Sequence, residues 1–252
     1  MLPTSNLRMP GANLTTRLKV YDTAGPDGQL GGTPHMHLCC TEMYFVSGGS
    51  GFVEVIDPTG FSIIELPLHA AYIFSPGTIH RLINPRKDLE LFIMMQNSGL
   101  PERGDNVVTF TNEFLESPDK YAAAMKVQSV EDGYRRRDHG VTGFLELKKA
   151  FKQGDREGRA ALDHFYELAG KRTANRQPEW RQVVTEGALA EAQRSLAILD
   201  ELAQGNTDYL AGTQQHLVLP KAFSTVGFCG HLNRYFDPAT LALEGKIATP
   251  SA

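Results

Sequence analysis

The sequence predicts a mainly β fold with an α addition, in which a β-barrel occupies the first half of the chain and a C-terminal helical region follows. Short runs rich in β-branched and aromatic residues extend from about residue 18 to 110, and the hydrophobic pattern becomes helical near residue 115. The 24 glycines and 14 prolines favour a turn-rich chain over an all-helical one. We therefore expect residues 1–112 to form the barrel domain and residues 113–252 a mainly helical C-terminal region.

Seven short runs in the first half have the composition of β-strands, and turn sequences such as SGG, DPTG and SPG separate them. Short strands at close spacing are typical of an antiparallel sandwich or barrel. The predicted strands are RLKVYD, EMYFVS, GFVEVID, FSIIEL, AYIFS, HRLIN and LELFIMMQ.

The second half carries start and stop signals of helices. Ser117 followed by Pro118 is typical of an N-cap and a first helical residue. The last predicted helix has an apolar stripe that could form a dimer contact or a lid over the barrel. The tail after His216 resembles one or two strands that could return to the barrel. The predicted helices span residues 117–136, 142–154 capped by Thr142, 155–170 capped by Asp155, and 178–205 with the stripe Leu189, Ala192, Leu196, Leu199 and Leu202.

Charge and hydropathy exclude several classes of protein. The formal net charge is −4 and the pI about 6.1, which disfavours binding to nucleic acid or to an anionic membrane. No apolar run approaches the ~18 residues that span a bilayer, and the N-terminal residues lack the apolar core of a secretory signal. Three cysteines cannot form a disulfide framework. A cytoplasmic protein is therefore expected.

One cluster of residues has the spacing of a metal site. His35 and His37 form an HxH pair, and residues two apart on a strand point to the same face. Glu42 follows shortly, and His80 lies on a later predicted strand. Three neutral imidazoles and one carboxylate suit one divalent transition metal, such as Zn, Fe, Mn or Ni, and leave positions open for substrate.

These residues resemble the two sequence motifs of the cupin superfamily. The resemblance covers about residues 15–110 and implies a jelly-roll β-barrel with a metal inside it, held by His35, His37, Glu42 and His80. Where the family has glycine and proline, this chain has His69 and Ser75, both at turn positions. The matching positions are His35, His37, Glu42 and Gly49 in the first motif, and Gly77, His80 and Asn84 in the second.

Other residues near the motifs have two readings each. Tyr44 shares the inward face of Glu42, so it either contacts substrate or packs in the barrel core. Glu42 and Tyr44 are the candidate catalytic residues. Cys39 and Cys40 are either buried inert thiols or competing metal ligands. The basic run 135–137 is expected to be a solvated face, with an anion site as the less favoured alternative.

The cupin fold alone does not fix the function. The string around the first motif is similar to cupins grouped with sugar-phosphate isomerases, so isomerase-like chemistry on a sugar, sugar phosphate or small acid is favoured. An iron-dependent dioxygenase or decarboxylase, or a non-catalytic ligand-binding cupin, remains open. The expected partners are a small-molecule substrate and a second copy of the chain in a homodimer.

Overall fold

The first half of the chain, completed by two strands from the tail, folds into two antiparallel β-sheets over a shared core. The computed structural model describes residues 9–215, 217–219 and 222–236. The strand orders are β10-β11-β1-β8-β3-β6 and β5-β4-β7-β2-β9, so the predicted fold class of a β-barrel with a C-terminal helical region is confirmed. The strands are β1 (Leu14–Val20), β2 (His35–His37), β3 (Glu42–Gly48), β4 (Gly51–Asp57), β5 (Gly60–Leu66), β6 (Ala71–Phe74), β7 (Ile79–Ile83), β8 (Glu90–Met95), β9 (Asn106–Val108), β10 (Thr225–Val226) and β11 (Gly230–Arg234).

Strand pairing brings the two cupin-like motifs together. β2 lies between β7 and β9, with His35 directly opposite His80. β3 belongs to the other sheet, and its buried residues Glu42 and Tyr44 alternate with more exposed neighbours. The period-two pattern of β3 therefore places these two side chains in the barrel interior, as the sequence predicts.

Two turns of the second motif need a left-handed backbone. Gly77 has a φ of 86°, and its N–H donates to the carbonyl of His37 at 2.9 Å, so the turn joins the two motifs. His69 stands where cupins have glycine, and its φ of 67° lies in the region that glycine adopts most easily. His69 therefore adopts at this turn a conformation that is uncommon for residues other than glycine.

The second half is helical, but its boundaries differ from the predicted ones. The first predicted helix ends at Met125, and a new helix begins at Val130 behind a capping box of Ser129 and Asp132. Thr142 is not a cap, because it lies inside that helix. Gly154, and not Asp155, is the N-cap of the next one. The helices are α1 (Asn112–Leu115), α2 (Pro118–Met125), α3 (Val130–Gln153), α4 (Asp155–Thr173), α5 (Gln177–Val184) and α6 (Ala190–Ala203), with a π-helical turn at Thr185–Leu189 before α6.

Helix α3 packs against the barrel through glycines spaced along one face. A Cβ added at Gly143 would lie 2.2 Å from the carbonyl oxygen of Thr109, and one at Gly140 would lie 2.7 Å from Cγ1 of Val108. The Thr109 hydroxyl also donates to the Gly140 carbonyl at 2.9 Å. The backbone of α3 therefore contacts the backbone of the barrel directly.

We expect Gly143→Ala to lower the free energy of unfolding by roughly 2 kcal/mol, because overpacking against rigid backbone outweighs the helix propensity of alanine. Gly170→Ala in α4 is the matched control, because no atom lies within 4 Å of a Cβ added there. The control should be neutral or stabilising by up to ~1 kcal/mol. Urea unfolding of metal-free protein measures both, and equal stabilities of the two variants would contradict the close packing.

The basic run 135–137 was expected to be a solvated face, and this is wrong for two of its three residues. Arg136 and Arg137 are 6% and 2% exposed, whereas Arg135 is exposed. Arg137 donates to the Thr23 carbonyl at 3.0 Å, and Arg136 donates to the Gly227 carbonyl at 2.6 Å. The two arginines thus connect α3 to segments of the barrel.

The apolar stripe of the last helix is not covered by the described part of the chain. Leu196 and Leu199 are 62% and 59% exposed, and α6 has no buried residue. A homodimer that covers this stripe stays a prediction. No helix within the described ranges is long and apolar enough to cross a membrane.

The described part of the tail returns to the barrel. β11 pairs with β1 in register, with Leu18 opposite Leu232, and β10 pairs with β11. His216 and the residues after 236 lie outside the described residues. The division into domains at residue 112 stays a prediction.

Candidate metal centre

Three histidines from the two motifs meet inside the barrel. One ligand atom from each of His35, His37 and His80 lies within 4.8 Å of the other two, and all three side chains are buried. Ligands that share one metal at ~2.1 Å lie up to about 4 Å apart. A small contraction would therefore bring the three imidazoles to a common metal.

Hydrogen bonds fix the orientation of each imidazole through Nδ1. Nδ1 of His35 lies 2.9 Å from the Thr33 carbonyl, and Nδ1 of His80 lies 3.1 Å from the Thr78 carbonyl. A histidine ligand commonly donates its second ring nitrogen in this way, which sets the tautomer. Nε2 is then left on both rings as the nitrogen that can bind a metal.

His37 is held by a carboxylate instead of a carbonyl. Its Nδ1 lies 3.2 Å from Oδ2 of Asp105, which is fully buried. Asp105 also accepts hydrogen bonds from the backbone N–H groups of Cys39 and Cys40 at 2.7 and 3.2 Å. Asp105 therefore positions both His37 and the loop that leads to β3. It lies outside both motifs, and no local pattern in the sequence marks it.

The pKa values of the histidines differ because their surroundings differ. Burial, together with the neighbouring imidazoles, holds the pKa of His35 well below its usual value. Burial also lowers the pKa of His80 to about 4, although Glu42 acts in the opposite direction. For His37, burial lowers the pKa but Asp105 and Glu42 raise it more, to about 9. His35 and His80 are thus neutral at pH 7, the form that binds a metal.

Glu42 reaches the same space from the opposite sheet. Its Oε2 lies 3.3 Å from Nε2 of His37 and 3.5 Å from Nε2 of His80. Oε2 of Glu42 and Nε2 of His80 are both buried without a hydrogen-bond partner. Unpaired buried atoms of this kind cost free energy, and a bound cation would satisfy them. The residues present therefore fit a divalent metal, whereas the predicted role of Glu42 as a fourth ligand stays a prediction.

We expect Asp105→Asn to weaken metal affinity by about 10–100-fold, because this range is typical for the loss of a carboxylate that orients a histidine ligand. The amide oxygen can still accept from the Cys39 N–H group, whereas the oxygen that faces the Cys40 N–H group and His37 Nδ1 is lost. Because the loop keeps one of its two anchors, the barrel should remain folded. Competition with a chelator measures the affinity, and circular dichroism checks the fold. An unchanged affinity would show that Asp105 does not orient His37.

A cavity of about 80 Å³ lies beside the histidine cluster and is lined by His35 and His37. Tyr44 lines it together with Glu42, and burial raises the pKa of the Tyr44 hydroxyl well above its usual value. Both predicted catalytic residues therefore lie in the cavity, but whether Tyr44 contacts substrate stays a prediction. Neither Cys39 nor Cys40 belongs to the histidine cluster. Cys40 is a buried thiol whose pKa is raised by burial, as the inert alternative predicts, whereas Cys39 is exposed, so the prediction of burial is wrong for it.

Several cavity residues come from segments that the motifs do not cover. Phe228 stacks on His35 with 4.9 Å between ring centroids, and Cys229 lines the same cavity. Glu102 lines it from the loop before β9, and burial raises the pKa of this carboxyl. No pattern in the sequence points to these three residues, because they reach the site only through the return of the tail and through a loop without recognisable spacing.

No protein-family model matches the chain, and no curated protein matches it either. Some solved structures match parts of it. The capsular polysaccharide assembling protein CapF from Staphylococcus aureus has a TM-score of 0.33 and 15% identity, over 40% of this chain and 27% of CapF. WlaRA, a TDP-fucose-3,4-ketoisomerase from Campylobacter jejuni, has a TM-score of 0.27 and 15% identity, over 33% of this chain and 58% of WlaRA.

QdtA, a sugar 3,4-ketoisomerase from Thermoanaerobacterium thermosaccharolyticum, has a TM-score of 0.25 and 14% identity, over 32% of this chain and 80% of QdtA. This chain thus spans about a quarter of CapF and less than two thirds of WlaRA. Because these likenesses are partial and weak, the function of this chain must be inferred from the geometry of its own site.

Proposed function

We propose that this protein is a metal-dependent enzyme of the cupin type that performs isomerase-like chemistry on a small oxygenated molecule, such as a sugar, a sugar phosphate or a small acid. The observation that carries the proposal is the convergence of three buried, oriented histidines with a Glu42 oxygen that has no hydrogen-bond partner, beside a cavity lined by His35, His37 and Glu42. His35, His37 and His80 would hold the metal. When bound there, it would act as a Lewis acid on a substrate oxygen.

The residues around the histidines would accept protons from the substrate, donate hydrogen bonds to it and exclude water. Glu42 offers a carboxylate oxygen that can take up a proton from the substrate, or bind the metal instead. The pKa of Tyr44 is raised by burial and by the nearby Glu42 charge, so its hydroxyl keeps its proton at pH 7 and can donate a hydrogen bond. Leu18 and Ile93 line the same cavity, so its polar groups act in apolar surroundings.

The proposal is tested by elemental analysis of protein purified without a histidine tag, followed by a turnover screen across sugars, sugar phosphates and small acids. We expect about one equivalent of zinc, manganese or nickel and isomerisation of at least one substrate. Iron together with oxygen consumption would replace isomerisation by the dioxygenase or decarboxylase alternative. Full metal occupancy with tight binding but no turnover would replace catalysis by ligand binding. Absence of metal from a chelator-free preparation would overturn the proposal.

A further inference from the structure

A second, larger cavity adjoins the cavity of about 80 Å³ that His35 and His37 line, which we call the metal cavity. It measures about 610 Å³ and lies between the barrel and the helical region, with α2, α3 and α4 contributing to its wall. We call it the outer cavity. Its volume is in the ~300–1,000 Å³ range of small-molecule sites. The two cavities share the lining residues Pro101, Glu102, Asn106, Phe228, Leu232 and Arg234.

The lining of the outer cavity is strongly basic although the chain as a whole is acidic. The formal net charge of the chain is −4. Five cations and one carboxylate line the outer cavity, and the cations come from α3, α4, β11 and the segments next to α2 and α4. Such a concentration of one sign of charge in a cleft attracts the opposite charge. The charged residues are Lys126, Arg136, Arg172, Arg176, Arg234 and Glu102.

The arginines of the outer cavity are not neutralised by the protein. Within residues 9–215, 217–219 and 222–236, no ion pair is formed by Arg136, Arg172, Arg176 or Arg234. Two of them donate to backbone carbonyls, Arg136 to Gly227 and Arg176 to Arg103. Nε of Arg136 and Nε of Arg172 are moreover buried without a hydrogen-bond partner. Buried charged donors without a partner are costly, so their presence favours a site that an external acceptor completes.

The ring of Phe228 connects one of these cations, Arg136, to the metal centre. The guanidinium of Arg136 lies 4.1 Å from the centre of the Phe228 ring. The same ring also contacts His35, whose imidazole stacks on it with 4.9 Å between ring centroids and 21° between the ring planes. A molecule that reaches from the histidines past Phe228 would therefore meet Arg136.

We infer that the outer cavity binds the anionic group, a phosphate or a carboxylate, of the molecule whose oxygenated end enters the metal cavity. This second half of the inference rests on the proposed function, whereas anion binding in the outer cavity does not. Arginine suits the task because its planar fork matches the oxygen pairs of phosphate and carboxylate. Glu102 stands at the junction of the two cavities, where Arg234 and Arg103 act on it as neighbouring positive charges.

The inference is tested by calorimetric titration of the full chain, freed of metal by a chelator, with inorganic phosphate and separately with succinate. We expect the wild type to bind at least one of the two anions, and the better ligand identifies the chemistry of the group. Arg172→Ala should weaken this binding roughly tenfold or more, the usual effect of removing a charged hydrogen-bond donor. Arg176→Ala provides a second variant on the same wall in case Arg172→Ala does not fold.

Arg159→Ala is the matched control, because Arg159 is exposed on the same helix and does not line the outer cavity. It should bind the anion as the wild type does. Failure of the wild type to bind either anion, or equal affinities of Arg172→Ala and Arg159→Ala, would overturn the inference. Metal content is measured on each preparation before the chelator is added. Anion binding by a protein that was purified without any metal would overturn the proposed function, whereas the assignment of the outer cavity as an anion site would stand.

Discussion

His37→Ala should abolish metal binding while the barrel stays folded. The substitution removes one of the three imidazoles that converge within 4.8 Å and breaks the link between the site and Asp105. Two histidines and a carboxylate without that anchor would bind a divalent ion far more weakly, and isomerase activity should fall with the metal content. Elemental analysis after dialysis measures the metal, and circular dichroism measures the fold.

The fold should survive because Asp105 keeps its two backbone donors in the loop before β3. His164→Ala is the control, since His164 is exposed on α4 and away from the cluster. It should keep the full metal content. A metal content in His37→Ala equal to that of the metal-loaded wild type would show that the metal binds elsewhere.

Glu42→Gln should lower turnover by about a hundredfold or more, which is typical for the loss of a positioned general base. We expect the metal to be retained, because the three histidines remain and the cluster of mutually close ligand atoms does not include Glu42. The measurements are steady-state kinetics on the substrate found by screening and metal content on the same preparation. Metal loss as complete as in His37→Ala would instead make Glu42 a ligand.

Glu65→Gln is the matched control for this substitution. Glu65 is exposed on β5, so its substitution replaces a carboxylate by an amide outside the barrel interior. It should leave both turnover and metal content unchanged. A turnover loss in the control would show that the amide itself, and not its place beside the histidines, causes the effect.

The features that the sequence predicts well are those with a local cause. An HxH pair on a strand points both rings to one face because of the period of the strand, and β2 does place His35 and His37 in one cluster with His80. The inward position of Glu42 and Tyr44 on β3 follows from the same alternation. The helical second half follows from its periodicity. The first predicted helix is nevertheless interrupted at residues 126–129, because the Ser129 capping box starts a new helix, α3.

The features that the sequence does not predict depend on where distant segments pack. The sequence predicts Arg136 and Arg137 to lie in an exposed run of charges. In the structure α3 packs against the barrel, and both side chains donate hydrogen bonds to carbonyls of segments that are distant in the chain. Asp105 and Phe228 carry no motif, and their roles appear only when β9 and the tail are in place. The apolar stripe of α6 is exposed, because an amphipathic pattern predicts a helix with an apolar face but does not predict which surface covers that face.

The pairing of β1 with β11 has a consequence for how the protein folds. Leu18 and its partner Leu232 are separated by about 200 residues, so the sheet that carries Glu42 is completed by the strand pairing that spans the longest sequence separation among the described residues. Closing so long a loop costs entropy before any contact offsets it. During synthesis β1 emerges long before β11, and the growing chain carries an open sheet edge throughout that interval. The helical region is made in between, and its docking on the barrel shortens the distance that β11 must search.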